Sequence, residues 1–151
     1  NSNIVWMNDD WIYKEILPYV VKANQSARWN FQTDYSESCQ FTKYGPKQFY
    51  DWHEDAWAEP YNSPDINFNG KIRKLSVTVS LSDPKEYVGG KLEFVHPMGG
   101  APNKDKIIQC KEIFPKGSLV VFPSFIKHRV TPVTKGIRYS LVIWSLGKPY
   151  I

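Results

Sequence analysis

Three side chains in this sequence could share one metal ion. His53 and Asp55 stand two apart in Tyr50-Asp51-Trp52-His53-Glu54-Asp55. In an extended backbone, residues i and i+2 point to the same side, so an imidazole and a carboxylate converge on one point. Taken alone, the pair reads equally well as a strand-end histidine beside a surface aspartate. His128 changes the balance. It stands in Pro123-Ser124-Phe125-Ile126-Lys127-His128-Arg129-Val130, after the strand-like run Ser118–Phe122. Thr131 to Gly136 reads as a turn and Ile137 to Trp144 as a strand. Antiparallel pairing of these arms about Val133 sets His128 opposite Arg138, where cross-strand Cβ atoms are about 5 Å apart. A ligand could then chelate the metal at one end and meet the planar fork of Arg138 with a carboxylate at the other. The third histidine, His96, borders Pro97 and a Gly-rich run and reads as an exposed loop residue.

The elements that must hold these residues can be read from the same sequence. Its 151 residues fit one domain, and its 42% apolar content is ordinary for a globular protein. The apolar runs Ile16–Val21 and Leu119–Phe122 are far too short to span a bilayer. A formal charge of +4 is too mild and scattered to argue for nucleic acid as a partner. Two cysteines exclude a disulfide scaffold; Cys39 and Cys110 read as buried free thiols, which points to a reducing, cytoplasmic compartment. The first residue is Asn1 rather than Met, which reads as processing or trimming. Asp9 and Asp10 precede apolar residues at helical spacing, so a helix is expected from Asp10 to Lys22, bent or divided at Pro18. Short β-rich segments follow: Cys39–Lys43, Gln48–His53, Lys74–Leu81, Lys91–Val95, Ile107–Ile113, Ser118–Phe122 and Arg138–Trp144. This pattern predicts a mainly β jelly-roll core over about residues 37–151, with a helical cover over about residues 1–36. Two polar stretches, Trp57–Gly70 and Pro97–Asp105, read as long loops of the lid or binding type.

Two histidines and one carboxylate leave one face of an octahedral ion open, the arrangement of non-heme Fe(II) oxygenases. A zinc hydrolase could use the same ligands with water in the fourth position, but it gives no reason for Arg138.

Beyond the ligands, three ordered blocks resemble the Fe(II)- and 2-oxoglutarate-dependent dioxygenases of the prolyl 4-hydroxylase type, closest to their bacterial and viral proline/lysine-hydroxylase-domain branch. The first runs from Tyr44 through Gln48-Phe49-Tyr50-Asp51-Trp52-His53-Glu54-Asp55. The second is Leu75 to Pro84 with Tyr87-Val88-Gly89-Gly90-Lys91-Leu92. The third is Gly117 to Pro123, His128 to Val133, and Gly136-Ile137-Arg138 through Trp144. The resemblance implies a double-stranded β-helix with His53, Asp55 and His128 as ligands of Fe(II) and Arg138 on the distal carboxylate of 2-oxoglutarate. It also implies Tyr44 hydrogen-bonded to the cosubstrate, Ser76 beside it, Tyr50 before the first histidine and Trp144 near the pocket.

The activity implied is hydroxylation of a C–H bond coupled to conversion of 2-oxoglutarate and dioxygen to succinate and CO2. Ascorbate fits as an accessory reductant, and the implied partner is a proline-containing peptide or protein. There are departures from the family pattern. Arg138 stands where many prolyl 4-hydroxylases carry Lys, and Ala56 where bacterial relatives often have Asn. The alternatives are a hydroxylase of a lysyl residue or small molecule, or a non-catalytic jelly-roll binding module. A nucleic-acid demethylase would carry a second Arg where this chain has Trp144.

Overall fold

A computed structural model of the chain describes residues 2–57, 59–97 and 105–149. The strands are β1 (Asn3–Met7), β2 (Tyr35–Ser36), β3 (Cys39–Tyr44), β4 (Tyr50–His53), β5 (Ile72–Ser80) and β6 (Tyr87–Gly89). They continue with β7 (Leu92–Pro97), β8 (Asp105–Gln109), β9 (Leu119–Pro123), β10 (His128–Val130), β11 (Val133–Gly136) and β12 (Arg138–Gly147). One helix, α1 (Asp10–Ser26), lies between β1 and β2.

Six strands form the larger sheet, in the order β1-β3-β12-β5-β9 with β2 on the far end of β12. Four form a second sheet, β4-β10-β7-β8, and β6 pairs with β11. Every pairing is antiparallel.

The large sheet is built from strands with two different faces. In β5, Leu75, Val77 and Val79 alternate with Lys74, Ser76, Thr78 and Ser80, and all seven are buried. The apolar set packs with Leu141, Ile143 and Cys39 against Ile12, Ile16 and Val20 of α1. Those three helix residues recur every fourth position, which places them on one stripe. Each such aliphatic side chain contributes about 1.5–3 kcal/mol on burial. Of the polar set, Thr78 opens into a cavity between the two larger sheets, while Ser76 and Ser80 hydrogen-bond within the protein beside it.

Several expectations are corrected. The helix is neither divided nor ended at Pro18 but runs unbroken to Ser26. Pro18 is exposed, on the side away from the buried stripe, so the carbonyl of Lys14 that loses its partner faces water. The cover over residues 1–36 is only partly helical, because Asn3–Met7 pairs with β3 as the sheet's edge strand. This pairing occupies backbone groups of β3 that would otherwise stand open, and Ile4-Val5-Trp6 supplies β-branched and aromatic residues for it. Residues 111–113 form a 3-10 turn rather than the end of a strand.

The expected hairpin joining His128 to Arg138 does not form. β10 belongs to the four-stranded sheet and β12 to the six-stranded one, while Val133–Gly136 is itself a strand, on β6. Gly89 and Gly90 make this crossing possible. Both have positive φ, and a Cβ on Gly89 would stand 2.2 Å from the Pro132 carbonyl oxygen. The Gly90 N–H donates to that carbonyl at 3.1 Å. Residues 98–104, most of the second expected loop, and the side chain of His96 lie outside the described residues.

Candidate metal centre and its anion pocket

His53 ends β4 and His128 begins β10, and the two are register partners across the pair. Asp55 follows two residues after His53, with its N–H on the Ser124 carbonyl at 2.9 Å. This folds the carboxylate back between the rings. Asp55 Oδ1 stands 3.2 Å from His53 Nε2 and 3.4 Å from His128 Nε2. One ligand atom from each residue lies within 4.8 Å of the others.

The imidazoles are oriented by the same local device. His53 Nδ1 lies 2.7 Å from the Asp51 carbonyl and His128 Nδ1 lies 2.8 Å from the Ile126 carbonyl. A carbonyl only accepts, so each Nδ1 carries hydrogen and donates it. In the neutral rings this leaves Nε2 as a lone pair aimed at the shared point. Two lone pairs and an anionic oxygen at such distances call for a cation among them. Ligands bonded at about 2.1 Å stand about 3.0–3.4 Å apart at octahedral to tetrahedral angles, which fits the observed spacing. Burial alone would push the Asp55 carboxyl up. With Nε2 protonated, as the rings are when no ion holds them, His128 and His53 together with the Ser76 hydroxyl outweigh it and hold the carboxyl well below the usual carboxylate range. Tyr50 and Phe122 wall the two rings, with centroids 4.0 Å from His53 and 4.8 Å from His128.

A second feature lies across the cavity. Arg138 is 2% exposed and lines the cavity, yet no carboxylate among the described residues pairs with it, and its Nη1 is buried with no hydrogen-bond partner. A buried guanidinium costs several kcal/mol unless compensated, so its retention here points to an anionic ligand. Its stem passes Gly90, where a Cβ would stand 3.0 Å from Arg138 Cδ. Tyr44, its register partner on β3, lies under the guanidinium with the ring centroid 5.4 Å from Cζ. Burial pushes the Tyr44 phenol up to about 12 against the opposing pull of Arg138, so Tyr44 remains an O–H donor.

A metal triad on one wall and an unpaired guanidinium on the other suit a chelating dicarboxylate. The family model for the 2OG-Fe(II) oxygenase superfamily matches residues 39–146. The chain belongs to this superfamily. As a 2OG-Fe(II) oxygenase, it is 35% identical over 105 residues to the PKHD-type hydroxylase YbiX of Escherichia coli O157:H7, a match over 69% of this chain and 40% of that protein. A PKHD-type hydroxylase of Klebsiella pneumoniae is 32% identical over 108 residues, covering 69% and 41% of the two chains. The chain thus spans about two fifths of these curated relatives. Among solved structures, a viral collagen prolyl hydroxylase from Paramecium bursaria Chlorella virus-1, in complex with 2OG, has a TM-score of 0.66 at 20% identity, over 97% of this chain and 79% of that one. A Pseudomonas putida prolyl-4-hydroxylase has 0.63 at 21%, over 99% and 73%. These two share the fold.

Of the remaining residues expected in this oxygenase site, Tyr44, Tyr50 and Trp144 line the cavity, whereas Ser76 is turned onto Asp55: its Oγ–H donates to Asp55 Oδ2 at 2.6 Å. Trp144 is six residues beyond Arg138 on β12, about 20 Å along the strand, and so marks the opposite end of the cavity face. Its indole N–H is buried and unpartnered.

Sequence reasoning missed Glu37 and Arg73. Arg73 donates to Glu37 through Nε at 2.6 Å and Nη2 at 3.1 Å, and lies over Trp144 at 3.8 Å and Trp57 at 5.0 Å. Tyr61 donates to the same carboxylate at 3.3 Å. This cluster docks the loop expected over Trp57–Gly70, whose Trp57, Tyr61 and Phe68 form a chain of edge contacts ending on Tyr35. No spacing rule links residues 37 and 73. Also missed were Gln40, Thr42, Thr78 and Ser140, buried polar residues that line the cavity. Their signal was present: polar residues at every second position of strands whose other face is apolar.

Proposed function

We propose that this domain is an Fe(II)- and 2-oxoglutarate-dependent hydroxylase built on a double-stranded β-helix, and that its substrate is a prolyl residue in a peptide or protein. The observation that carries the reading is the unpaired, buried Arg138 across the cavity from the His53, Asp55 and His128 cluster. A zinc hydrolase or a non-catalytic binding module would have no use for that costly charge. The prolyl assignment draws support from the names of the fold neighbours, one of them a Trichoplax adhaerens prolyl hydroxylase solved with a hypoxia inducible factor peptide.

In this reading His53, Asp55 and His128 would hold the iron, and Arg138 with Tyr44 would hold the distal carboxylate of 2-oxoglutarate. The iron, loaded with 2-oxoglutarate and dioxygen, supplies the oxidising chemistry, with succinate and CO2 as coproducts. The chain's own residues bind, orient and exclude water. The two backbone carbonyls fix both imidazole tautomers. Arg138 offers a charge-assisted fork, and Tyr44 stays protonated and donates. Tyr50, Phe122 and Trp144 supply apolar wall. No side chain need act as nucleophile or general base. Among the described residues no helix is long and apolar enough to cross a membrane, and both free cysteines are buried, which suits a reducing, cytoplasmic setting.

The test is incubation with Fe(II), 2-oxoglutarate, ascorbate and Pro-rich peptides. Succinate formation with a gain of one oxygen on a prolyl residue is expected. Succinate without oxygen on any such peptide would move the substrate elsewhere. Failure of folded, iron-loaded protein to form succinate would restore the binding-module reading.

A further inference from the structure

Asp55 is held at two points by one pair of serines, its carboxylate by Ser76 and its backbone N–H by Ser124, and we infer that Ser76 and Ser124 set the number of coordination positions left open at the metal. The inference rests on the reading of His53, Asp55 and His128 as the iron site. Ser76 Oγ lies 2.6 Å from Asp55 Oδ2 and 2.9 Å from Ser124 Oγ, and both serines are fully buried. An ionised carboxylate only accepts, so Ser76 donates to Oδ2 and in turn accepts from the Ser124 hydroxyl. The Ser124 carbonyl takes the N–H groups of Asp55, at 2.9 Å, and Ala56, at 3.1 Å. Backbone and side chain of residue 55 are thus referred to one residue in the turn after β9.

The consequence is one of stoichiometry. A carboxylate whose second oxygen is uncommitted can rotate to grip an ion with both oxygens, which uses two positions. With Oδ2 tied to Ser76, only Oδ1 faces the two imidazole nitrogens. An octahedral ion then keeps three open positions, the number that a two-point chelating cosubstrate and dioxygen require. Ser76 and Ser124 are positioning residues in this scheme. They touch neither metal nor ligand, and they act through Asp55. Ser80 provides the contrast on the same strand face. It is equally buried, but its hydroxyl goes to the Ser82 carbonyl at 3.3 Å, a bond with no link to the site.

The test uses Co(II) as a spectroscopic probe, because its d–d absorption reports coordination number. Wild type is titrated beside Ser76→Ala, Ser76→Thr, Ser124→Ala and Ser80→Ala, first with Co(II) alone and then with 2-oxoglutarate at saturating Co(II). Ser76→Ala should weaken Co(II) binding about tenfold, within the range for loss of an outer-shell partner. It should also change the d–d spectrum and weaken 2-oxoglutarate binding by a similar factor. Ser124→Ala should move all three readouts the same way, but less. Ser76→Thr keeps the hydroxyl and should restore them. Ser80→Ala should lower only the thermal midpoint. Ser76→Ala matching wild type in spectrum and both affinities would overturn the inference, as would a threonine variant no better than alanine. If Ser76→Ala does not fold, Ser124→Ala decides, and unchanged readouts there overturn it. A wild-type protein that binds no Co(II) overturns the iron-site reading itself and the inference with it.

Discussion

The two walls of the cavity handle polar atoms in opposite ways. On the metal wall nearly every group is tied: each imidazole Nδ1 to a backbone carbonyl, Asp55 Oδ2 to Ser76, and the Asp55 N–H to Ser124. On the other wall Arg138 Nη1 is buried with no partner. The first arrangement spends protein hydrogen bonds on orienting ligands. The second withholds them, so that the guanidinium meets its anion only when a ligand arrives. Preorganisation on one side and deliberate vacancy of partners on the other are different devices, and substitutions should separate them.

The largest effect is expected on the metal wall. Asp55→Ala or His128→Ala should cut metal affinity by more than about 100-fold, beyond the range for outer-shell partners, as read by equilibrium dialysis. Next comes Arg138→Met. It should leave metal affinity near wild type and weaken 2-oxoglutarate by about 100-fold, the worth of about 3 kcal/mol of charge-assisted hydrogen bonds. Its thermal midpoint without ligand should be unchanged or higher, because an uncompensated buried charge has been removed. A large drop in that midpoint would show that Arg138 has a structural partner. Glu37→Gln probes the opposite case, a half-buried cation that is paired. It removes the charge that Arg73 meets and should destabilise the fold by about 1–3 kcal/mol, measured by denaturant unfolding. The smallest effect at neutral pH belongs to Tyr44. Its folded-state pKa of about 12 exceeds the ordinary 10.0, so the native state holds this proton more tightly than the unfolded chain. The associated stability is complete below pH 10 and is lost as pH climbs toward 12. Tyr44→Phe should flatten that part of the alkaline decline in a pH series of unfolding curves.

Much of the site is legible in the amino-acid sequence. His53 and Asp55 were readable from the i, i+2 rule, and His128 and Arg138 from their residue types and their places beside strand-like runs. The expected reason for bringing His128 near Arg138 was incorrect. A local hairpin is the simplest inference from residues 128–138, but Gly89 and Gly90 leave room for the Pro132 carbonyl, and the chain crosses between sheets instead. The two side chains meet one cavity from facing walls. Long-range pairing of this kind is set by packing between distant segments, and no short window carries it. The Glu37–Arg73 pair was invisible for the same reason. The edge strand β1 is five residues long without clean alternation, since Ile4, Val5 and Trp6 are all exposed. The polar faces of β3 and β12, by contrast, follow a period of two that the sequence carries in Gln40 and Thr42 and in Arg138 and Ser140.

The most direct measurement is an anaerobic titration of the metal-free protein with Fe(II) and 2-oxoglutarate, following the visible charge-transfer band of the chelate, with His128→Ala and Arg138→Met alongside. The expected result is a band in wild type, none in His128→Ala, and a band in Arg138→Met that needs about 100-fold more 2-oxoglutarate. Folded wild-type protein that develops no band, or an Arg138→Met titration that overlays wild type, would contradict a site built from a metal wall and an anion wall.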